Sequence, residues 1–272
     1  MIKDCTTTEL VSIITICLNA KDTIRQTIES VSSQTYNNIE YIICDGGSSD
    51  GTQDIINEYA DMIDIFISEP DRGIADAFNK GICRASGAYI QLLNADDSMP
   101  PDKIELSVQA LKQDNTASYV FGDVFFTTVE GLIMKIAGDP LYSSKITYGM
   151  PRLNHTTMLV RASAYQAHGL YDGSWKIAMD YDWLLRIHNA GGFGIYCPDV
   201  RTYMRDGGAS SNWRKTLEEQ RRIAVNRGGH AILAWYFYMY SILKISTRIV
   251  LESFLPSRLL MWCRPGKSLK NP

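Results

Sequence analysis

The residues best suited to chemistry in this 272-residue chain are two adjacent carboxylates, Asp96 and Asp97. They end the segment Asn94-Ala-Asp-Asp, which follows an apolar run at residues 89–93 that is typical of a buried strand. Neighbouring carboxylates repel each other and need a compensating cation, and Mg²⁺ and Mn²⁺ prefer such oxygen ligands. The sequence therefore predicts a Mn²⁺ or Mg²⁺ site at Asp96 and Asp97, with a capping cluster for a helix near Pro101 as the alternative.

A glycine- and serine-rich turn, Asp45-Gly-Gly-Ser-Ser-Asp-Gly-Thr52, is the second candidate site. Its paired glycines let the backbone approach a ligand closely. Asp45, at a predicted strand end, can accept hydrogen bonds from ribose hydroxyls or a base N–H. The turn matches neither a Walker A loop nor G-x-G-x-x-G. An ordinary strand-to-helix turn with Ser49 or Asp50 as its cap is the alternative.

A third candidate segment runs from Asp71 to Gly81. Arg72 could neutralise a phosphate, and Asp76 could bind a base or a sugar hydroxyl. Asp76 and Lys80 are four residues apart in a predicted helix, so a surface ion pair between them is the alternative.

The elements that must position these residues form an α/β pattern. Apolar runs at 11–17, 39–44, 63–67 and 88–93 alternate with segments of helical periodicity, which predicts a parallel sheet with helices on both faces. Ligands bind beyond the carboxyl ends of such strands. Asn19, Asp45 and the Asp96–Asp97 pair are therefore expected along one polar sheet edge.

The second half of the chain is less regular. Runs at 119–126 and 132–137 predict an antiparallel pair, and short strands are predicted at 156–160 and 193–196. A helix is predicted over 180–189, and Asn212 is expected to cap a helix that runs to residue 226.

Composition restricts the class of protein. The chain is 45% hydrophobic and 21% charged, with a net charge of −3, which is typical of a globular protein and argues against general nucleic-acid binding. Six cysteines without a C-x-x-C pair predict free thiols in a reducing compartment. We expect no signal peptide and no membrane-spanning segment, and hence a cytoplasmic location.

The C-terminal part differs in charge from the rest. Residues 226–272 hold seven Lys and Arg and one acidic residue, Glu252. The aromatic run 231–243 precedes Lys244 and Arg248, and such sequences suit a membrane–water interface. We expect peripheral attachment to the anionic cytoplasmic leaflet. An amphipathic helix packed on the main domain or on a second subunit is the alternative.

The ordered motifs together resemble the bacterial family 2 glycosyltransferases of GT-A fold, most of all enzymes of exopolysaccharide synthesis such as the colanic acid transferases. The motifs are Val11–Thr15 with Asn19, Asp45–Thr52, Gly73–Gly81, Gly87–Asp97 and Met179–Arg186. The resemblance implies a Rossmann-like mixed sheet flanked by helices over residues 1–212. Its nucleotide-sugar half would span about 10–100 and its acceptor half about 101–212, and residues 213–272 would form a helical, aromatic and basic extension.

The resemblance also implies roles for individual residues. Asn19 and Asp45 would hold the nucleoside, Asp76 would contact the base, and Asp96 with Asp97 would bind a metal that bridges the diphosphate. Asn94 stands where the family's D-x-D-D motif has its first aspartate, and we place it on the donor side. Asp180 matches the family's catalytic base, with Met179 in place of the preceding acid. The looser matches are Arg205 for the diphosphate and His155 for the acceptor; a solvent-facing arginine and a structural histidine are the alternatives.

The base assignment has a physical reason, because orphan N–H groups at a helix start hold a carboxylate in its charged form. Asp180 could then take a proton from an acceptor hydroxyl, whereas a mere helix cap is the alternative.

The expected function is transfer, with inversion, of a sugar from a nucleoside diphosphate donor, a UDP-sugar, to a lipid-linked or growing saccharide. Donor binding is expected to order the loop 205–210. A sugar nucleotidyltransferase and a nucleotide-binding membrane scaffold without turnover are the rival functions. The oligomeric state is left open.

Overall fold

A computed structural model of the protein describes residues 9–127, 133–205, 212–254 and 269–270. Its strands are β1 (Val11–Cys17), β2 (Ile39–Asp45), β3 (Ile65–Ser68), β4 (Tyr89–Asn94), β5 (Tyr119–Thr127), β6 (Ile133–Ile136), β7 (Leu159–Arg161), β8 (Gly194–Arg205) and β9 (Leu269–Lys270). Within these residues they form one mixed sheet of order β3-β2-β1-β4-β7-β5-β6-β9, and β8 pairs with β5.

Eight α-helices accompany the sheet in the described residues. They are α1 (Ile24–Ser32), α2 (Thr52–Glu58), α3 (Ile74–Arg84), α4 (Lys103–Gln113), α5 (Ala162–His168), α6 (Met179–Asn189), α7 (Trp213–Asn226) and α8 (Ala231–Phe254). Short 3₁₀ turns lie at Ala60–Met62, Tyr142–Ser144, Ile146–Tyr148 and His155–Thr157. The α5 helix was not predicted, whereas α6 and α7 begin within one residue of their predicted starts and end at the predicted residues 189 and 226.

The nucleotide-side sheet is parallel, as predicted. Val11 of β1 pairs with Ile39 of β2 on one side and with Tyr89 of β4 on the other, and all seven residues of β1 are buried. Ile14 packs on the face that holds α3 and α6, whereas Ile13 packs on the face that holds α1 and α4. A strand buried on both faces explains the continuous apolar run.

Antiparallel pairing begins at β7, next to β4. The predicted antiparallel pair is confirmed as β5 and β6, joined for example at Val124 and Ile136. The predicted strand 156–160 is wrong over its first part, because the Asn154 side chain accepts a hydrogen bond from the Thr156 backbone N–H at 3.0 Å and starts a 3₁₀ turn.

Strand β8 is much longer than the predicted 193–196. Its far part returns to the carboxyl edge of the parallel strands, where Tyr203 and Ser98 exchange backbone hydrogen bonds of 2.8 and 2.9 Å. Asn154 donates to the sulfur of Met204 at 3.1 Å. The end of β8 therefore lies beside the segment that contains Asp96 and Asp97.

Helix α7 begins and ends where it was predicted to. Asn212 caps α7 through its side chain, which accepts from the Lys215 N–H at 3.3 Å. Along α8 the side chains of Ile232, Tyr236, Met239, Tyr240 and Leu243 are each more than half exposed. No helix in the described residues has the length and apolar character needed to cross a membrane.

Candidate active site

The Asp45 carboxylate organises the glycine-rich turn. It is 1% exposed and accepts hydrogen bonds from the Ser48 backbone and hydroxyl, Gln53 Nε2, the Ser68 hydroxyl and the Cys17 thiol. Burial raises the pKa of Asp45, but the hydrogen bonds, first those from Ser48 and Ser68, outweigh it and leave the pKa below its ordinary value. Asp45 is thus a fixed negative charge beneath the turn.

Asn19 ties the end of β1 to the same turn. Its backbone lies in the left-handed region, with φ of 51°, its N–H donates to Ser48 Oγ at 2.8 Å, and its side chain accepts from the Ser49 N–H at 3.0 Å. The structure therefore places Asn19 and Asp45 in one hydrogen-bonded unit. Their nucleoside-binding roles stay predictions.

Arg72 and Asp76 meet at the start of α3. Asp76 accepts from the Arg72 backbone N–H at 3.0 Å and from its guanidinium at 3.2 Å, and these bonds hold the pKa of Asp76 below its ordinary value. The predicted alternative, an Asp76–Lys80 ion pair, is present at 3.8 Å, but Lys80 lies closer to Asp71, at 2.6 Å.

Asp71 joins this region to the glycine-rich turn, since a Cβ at Gly46 would lie 2.7 Å from Asp71 Oδ2. Beside it, a cavity of about 290 Å³ lies between the start of α3 and the segment that leads into α6. Its lining includes Arg72, Asp76, Trp175 and Lys176. Two of the predicted donor residues thus face open space large enough for part of a ligand.

Asp96 and Asp97 follow β4 in contrasting environments. Asp96 is exposed, whereas Asp97 is 1% exposed and accepts a hydrogen bond from Asn94 Nδ2 at 2.9 Å. Burial, and then the charge of Asp96, raise the pKa of Asp97 to about 7, against weaker opposing effects of Asn94, His155 and Lys103.

This pair fits a divalent cation. The two carboxylates are adjacent in the chain, and burial disfavours the charged form of Asp97. They offer hard oxygen ligands, and a cation bound to them would relieve the repulsion between their charges. No group of three or more His, Cys, Asp or Glu residues within the described ranges could hold a metal. A metal at Asp96 and Asp97 would need further oxygen ligands besides these two carboxylates.

His155 and Asp180 come together although 25 positions separate them. His155 Nδ1 lies 3.7 Å from Asp180 Oδ2, and its ring packs edge-on against Phe78 with centroids 5.8 Å apart. His155 Nε2 is buried and has no hydrogen-bond partner among the described residues. The backbone carbonyl of Thr156, next to His155, accepts from Gln91 of β4 at 2.9 Å, so the predicted acceptor residue and base lie beside the strand that leads to the predicted metal ligands.

Asp180 is not the cap of its helix, so that alternative is wrong. Helix α6 begins at Met179 with Ala178 as N-cap, and Asp180 is its second residue. Its Oδ1 accepts from the Tyr181 N–H at 2.8 Å, and its side chain keeps about a quarter of its surface exposed. Asp180 is therefore held at the helix start and still accessible.

Arg205 ends β8 and is exposed, two residues beyond the Tyr203–Ser98 bridge. This places its backbone close to the segment of the predicted metal ligands. The remainder of the predicted loop, 206–210, lies outside the described residues. The contact of Arg205 with a diphosphate stays a prediction.

One buried residue near the site escaped the sequence analysis. Lys103 is 0% exposed, and its ammonium donates to the side-chain oxygen of Gln91 and, at 3.1 Å, to the carbonyl of Thr156. Burial holds its pKa well below the ordinary value. The same carbonyl accepts from Gln91 and Thr202, each at 2.9 Å, so the turn containing His155 is anchored from below. No sequence signal separates Lys103 from a surface lysine in a first helical turn.

Comparison with known proteins gives relatives of one kind. The model of the family described as glycosyl transferase family 2 matches residues 12–168. The uncharacterized glycosyltransferase RT0329 of Rickettsia typhi is 34% identical over 188 residues, and these cover 66% of this chain and 59% of that protein. The UDP-Glc:alpha-D-GlcNAc-diphosphoundecaprenol beta-1,3-glucosyltransferase WfaP of Escherichia coli is 34% identical over 247 residues, which cover 85% of this chain and 92% of WfaP.

A solved structure shows the fold. The mannosyltransferase PcManGT from Pyrobaculum calidifontis, in complex with GDP-Man and Mn²⁺, superposes with a TM-score of 0.66 at 18% identity and covers 95% of this chain and 80% of its own. The predicted GT-A-type mixed sheet flanked by helices is thereby confirmed.

Proposed function

The chain belongs to glycosyl transferase family 2, and on this premise we propose that it transfers a sugar, with inversion, from a nucleoside diphosphate donor to a saccharide acceptor. The observation that supports this most directly is the convergence of three functional groups in one region. His155 Nδ1 lies 3.7 Å from Asp180 Oδ2, and the turn that carries His155 is hydrogen-bonded to Gln91 of β4, the strand that leads to Asp96 and Asp97. A carboxylate base and a pair of metal-binding carboxylates are what such a transfer requires.

In the proposed reaction, Asp180 accepts the proton of an acceptor hydroxyl. The hydroxyl oxygen then forms a bond to the anomeric carbon of the donor sugar, and the bond from that carbon to the diphosphate oxygen breaks. Asp180 is suited to this role because its accessible carboxylate accepts from the Tyr181 N–H and lies 3.7 Å from His155 Nδ1.

Asp96 and Asp97 would hold the divalent cation, which supplies positive charge where the departing diphosphate gains negative charge. On the nucleoside side, Asn19 and Asp45 shape the turn that would receive the base and ribose. Arg72 and Arg205 are the cations that we assign to the donor phosphates, since both are exposed near this edge.

We propose a UDP-sugar as donor and a lipid-linked saccharide as acceptor. Support comes from WfaP, whose name gives UDP-Glc as donor and a diphosphoundecaprenol-linked sugar as acceptor, and which is similar over 85% of this chain. The exposed apolar stripe of α8, followed by Lys244, suits peripheral attachment to an anionic membrane surface where such an acceptor lies. Co-sedimentation with anionic and with neutral vesicles measures this attachment; equal recovery in both supernatants would exclude it.

The test of the enzymatic function is turnover with a panel of nucleotide sugars, with and without Mn²⁺. Asp180→Asn should lower kcat by about 100-fold or more, because the base can no longer take the proton, while donor affinity measured by calorimetry is unchanged. Asp199→Asn is the matched control, since Asp199 is an exposed carboxylate on β8. Full turnover by Asp180→Asn would remove the residue from this role, and no turnover of any nucleotide sugar by the unaltered chain would exclude glycosyl transfer.

A further inference from the structure

Helix α7 contacts the helix of the proposed base along one of its faces. The residues on that side are Glu219, Arg222 and Ile223 of α7 and Arg227, which directly follows it; Glu219, Ile223 and Arg227 are successively four residues apart and so lie on the same side of an α-helix. Ile223 is 0% exposed, and Arg222 stacks its guanidinium over the Trp175 ring at 5.5 Å. The face is therefore a packed interface and not a solvated surface.

Glu219 occupies the start of α6. Its carboxylate accepts backbone N–H bonds from Ile177 and Ala178, each at 2.9 Å, and from Lys176 at 3.2 Å. These N–H groups belong to the N-cap residue and the two residues before it, so the Glu219 carboxylate lies at the positive end of the helix, where a negative charge is stabilising. Ala178 supplies no capping side chain of its own, and Glu219 holds this N-cap residue and the two residues before it from another helix.

Arg227 holds the same helix one turn further on. Its Nε and Nη2 donate to the two carboxylate oxygens of Asp182 at 2.8 and 3.0 Å, and Asp182 is 0% exposed. Arg186 of α6 shares this carboxylate at 3.1 Å. A bidentate pair to a fully buried carboxylate has one geometry, which fixes the two helices against each other.

Asp180 lies between these two contacts, at residues 178 and 182. We propose that α7 is a positioning element for the base: Glu219 and Arg227 grip α6 on either side of Asp180 and fix where its carboxylate points. This inference rests on the proposed glycosyl transfer. It makes residues outside the predicted 1–212 domain necessary for efficient turnover, because small displacements of a base cost a large part of the rate.

The test is a kinetic comparison of Glu219→Ala, Glu219→Gln and the control Glu218→Gln. Glu218 neighbours Glu219 on α7 but pairs with Arg221 at 2.5 Å and makes none of the contacts to α6 described above. Glu219→Ala should lower kcat by about 10- to 100-fold with KM for the nucleotide sugar unchanged within about twofold. Glu219→Gln should recover much of the loss, since its amide oxygen still accepts N–H bonds.

The decisive arm repeats Glu219→Ala in the Asp180→Asn background. If Glu219 acts through Asp180, adding Glu219→Ala to the Asp180→Asn variant leaves its residual rate unchanged. If Glu219→Ala lowers kcat by the same factor in the unaltered chain and in Asp180→Asn, the proposal is overturned. Wild-type kcat in Glu219→Ala would overturn it as well. Should Glu219→Ala fail to fold, Arg227→Lys enters the same double comparison with the same two outcomes. Absence of transfer by the unaltered chain would count against the proposed function, whereas transfer that is insensitive to both substitutions would count against α7 alone.

Discussion

Two buried carboxylates at the same sheet edge, Asp45 and Asp97, are each 1% exposed, yet their pKa values are shifted in opposite directions. Asp45 is surrounded by donors from its turn, and its pKa lies below the ordinary value. Asp97 accepts from Asn94 and adjoins Asp96, and its pKa rises to about 7. Burial acts in the same direction on both, so the difference comes from the hydrogen bonds that the fold supplies at Asp45 and from the charge of Asp96 beside Asp97.

The contrast separates two uses of a buried carboxylate. At Asp45 the fold itself compensates the charge, so the turn is organised before any ligand arrives. At Asp97 the compensation is incomplete, and a cation from outside the chain would complete it. The first site thus presents a shaped surface by itself, whereas the second is the one that we propose to bind a metal together with the donor.

Among the tests of this difference between the two sites, the largest effect is expected on turnover when Asp96 is substituted. Asp96→Asn removes the exposed carboxylate of the pair, so turnover should fall by more than about 100-fold, equivalent to a loss of more than about 2.7 kcal/mol of transition-state stabilisation. Donor affinity, measured by calorimetry, should no longer increase with Mn²⁺. Asp54→Asn, which changes an exposed carboxylate on α2, should leave both quantities unaltered.

Metal removal provides the complementary measurement. Chelation should reduce turnover of the unaltered chain to the level of Asp96→Asn, and added Mn²⁺ should restore only the unaltered chain. If neither Mn²⁺ nor Mg²⁺ strengthens binding of any nucleotide sugar, the difference between the two carboxylate sites has no bearing on metal binding.

Much of the fold was predictable from the sequence because its signals are local. The continuous apolar runs predicted β1, β2 and β4, and Asn212 predicted the start of α7 through a contact three residues away. The full length of β8 was not predictable. Its middle contains Pro198 and Asp199, next to a register shift against β5, and these interrupt the strand pattern.

The supporting residues of the site could not be found in the same way. Lys103 finds its partner carbonyl 53 residues away, and Glu219 caps backbone groups 41 to 43 residues away. Each is a charged residue on a helix, the usual pattern of a solvated surface. Their burial follows from tertiary packing, which local spacing does not encode.

A smaller effect is expected at Asp45. Asp45→Asn turns one acceptor oxygen into an NH₂ group that faces the donors of Ser48, Gln53 and Ser68, which should lower the free energy of unfolding by about 1–3 kcal/mol. Urea unfolding measures the change, with Asp54→Asn again as the control. An unchanged midpoint would mean that the turn does not depend on a charged Asp45, and the contrast with Asp97 would disappear.

The smallest effect, of opposite sign, is expected at Asp97. In metal-free protein at pH 8, Asp97→Asn should raise the free energy of unfolding by about 1 kcal/mol, because it removes a buried charge beside Asp96 and keeps an oxygen for Asn94. Folding raises the pKa of Asp97, so protonation of Asp97 stabilises the folded unaltered chain. This stabilisation is fully present at pH values below the ordinary pKa of aspartate, and it is lost as the pH rises through about 7. The advantage of the variant should therefore shrink between pH 8 and pH 4. A destabilised variant at pH 8, measured by urea unfolding in a chelator, would show that Asp97 is compensated within the chain as Asp45 is.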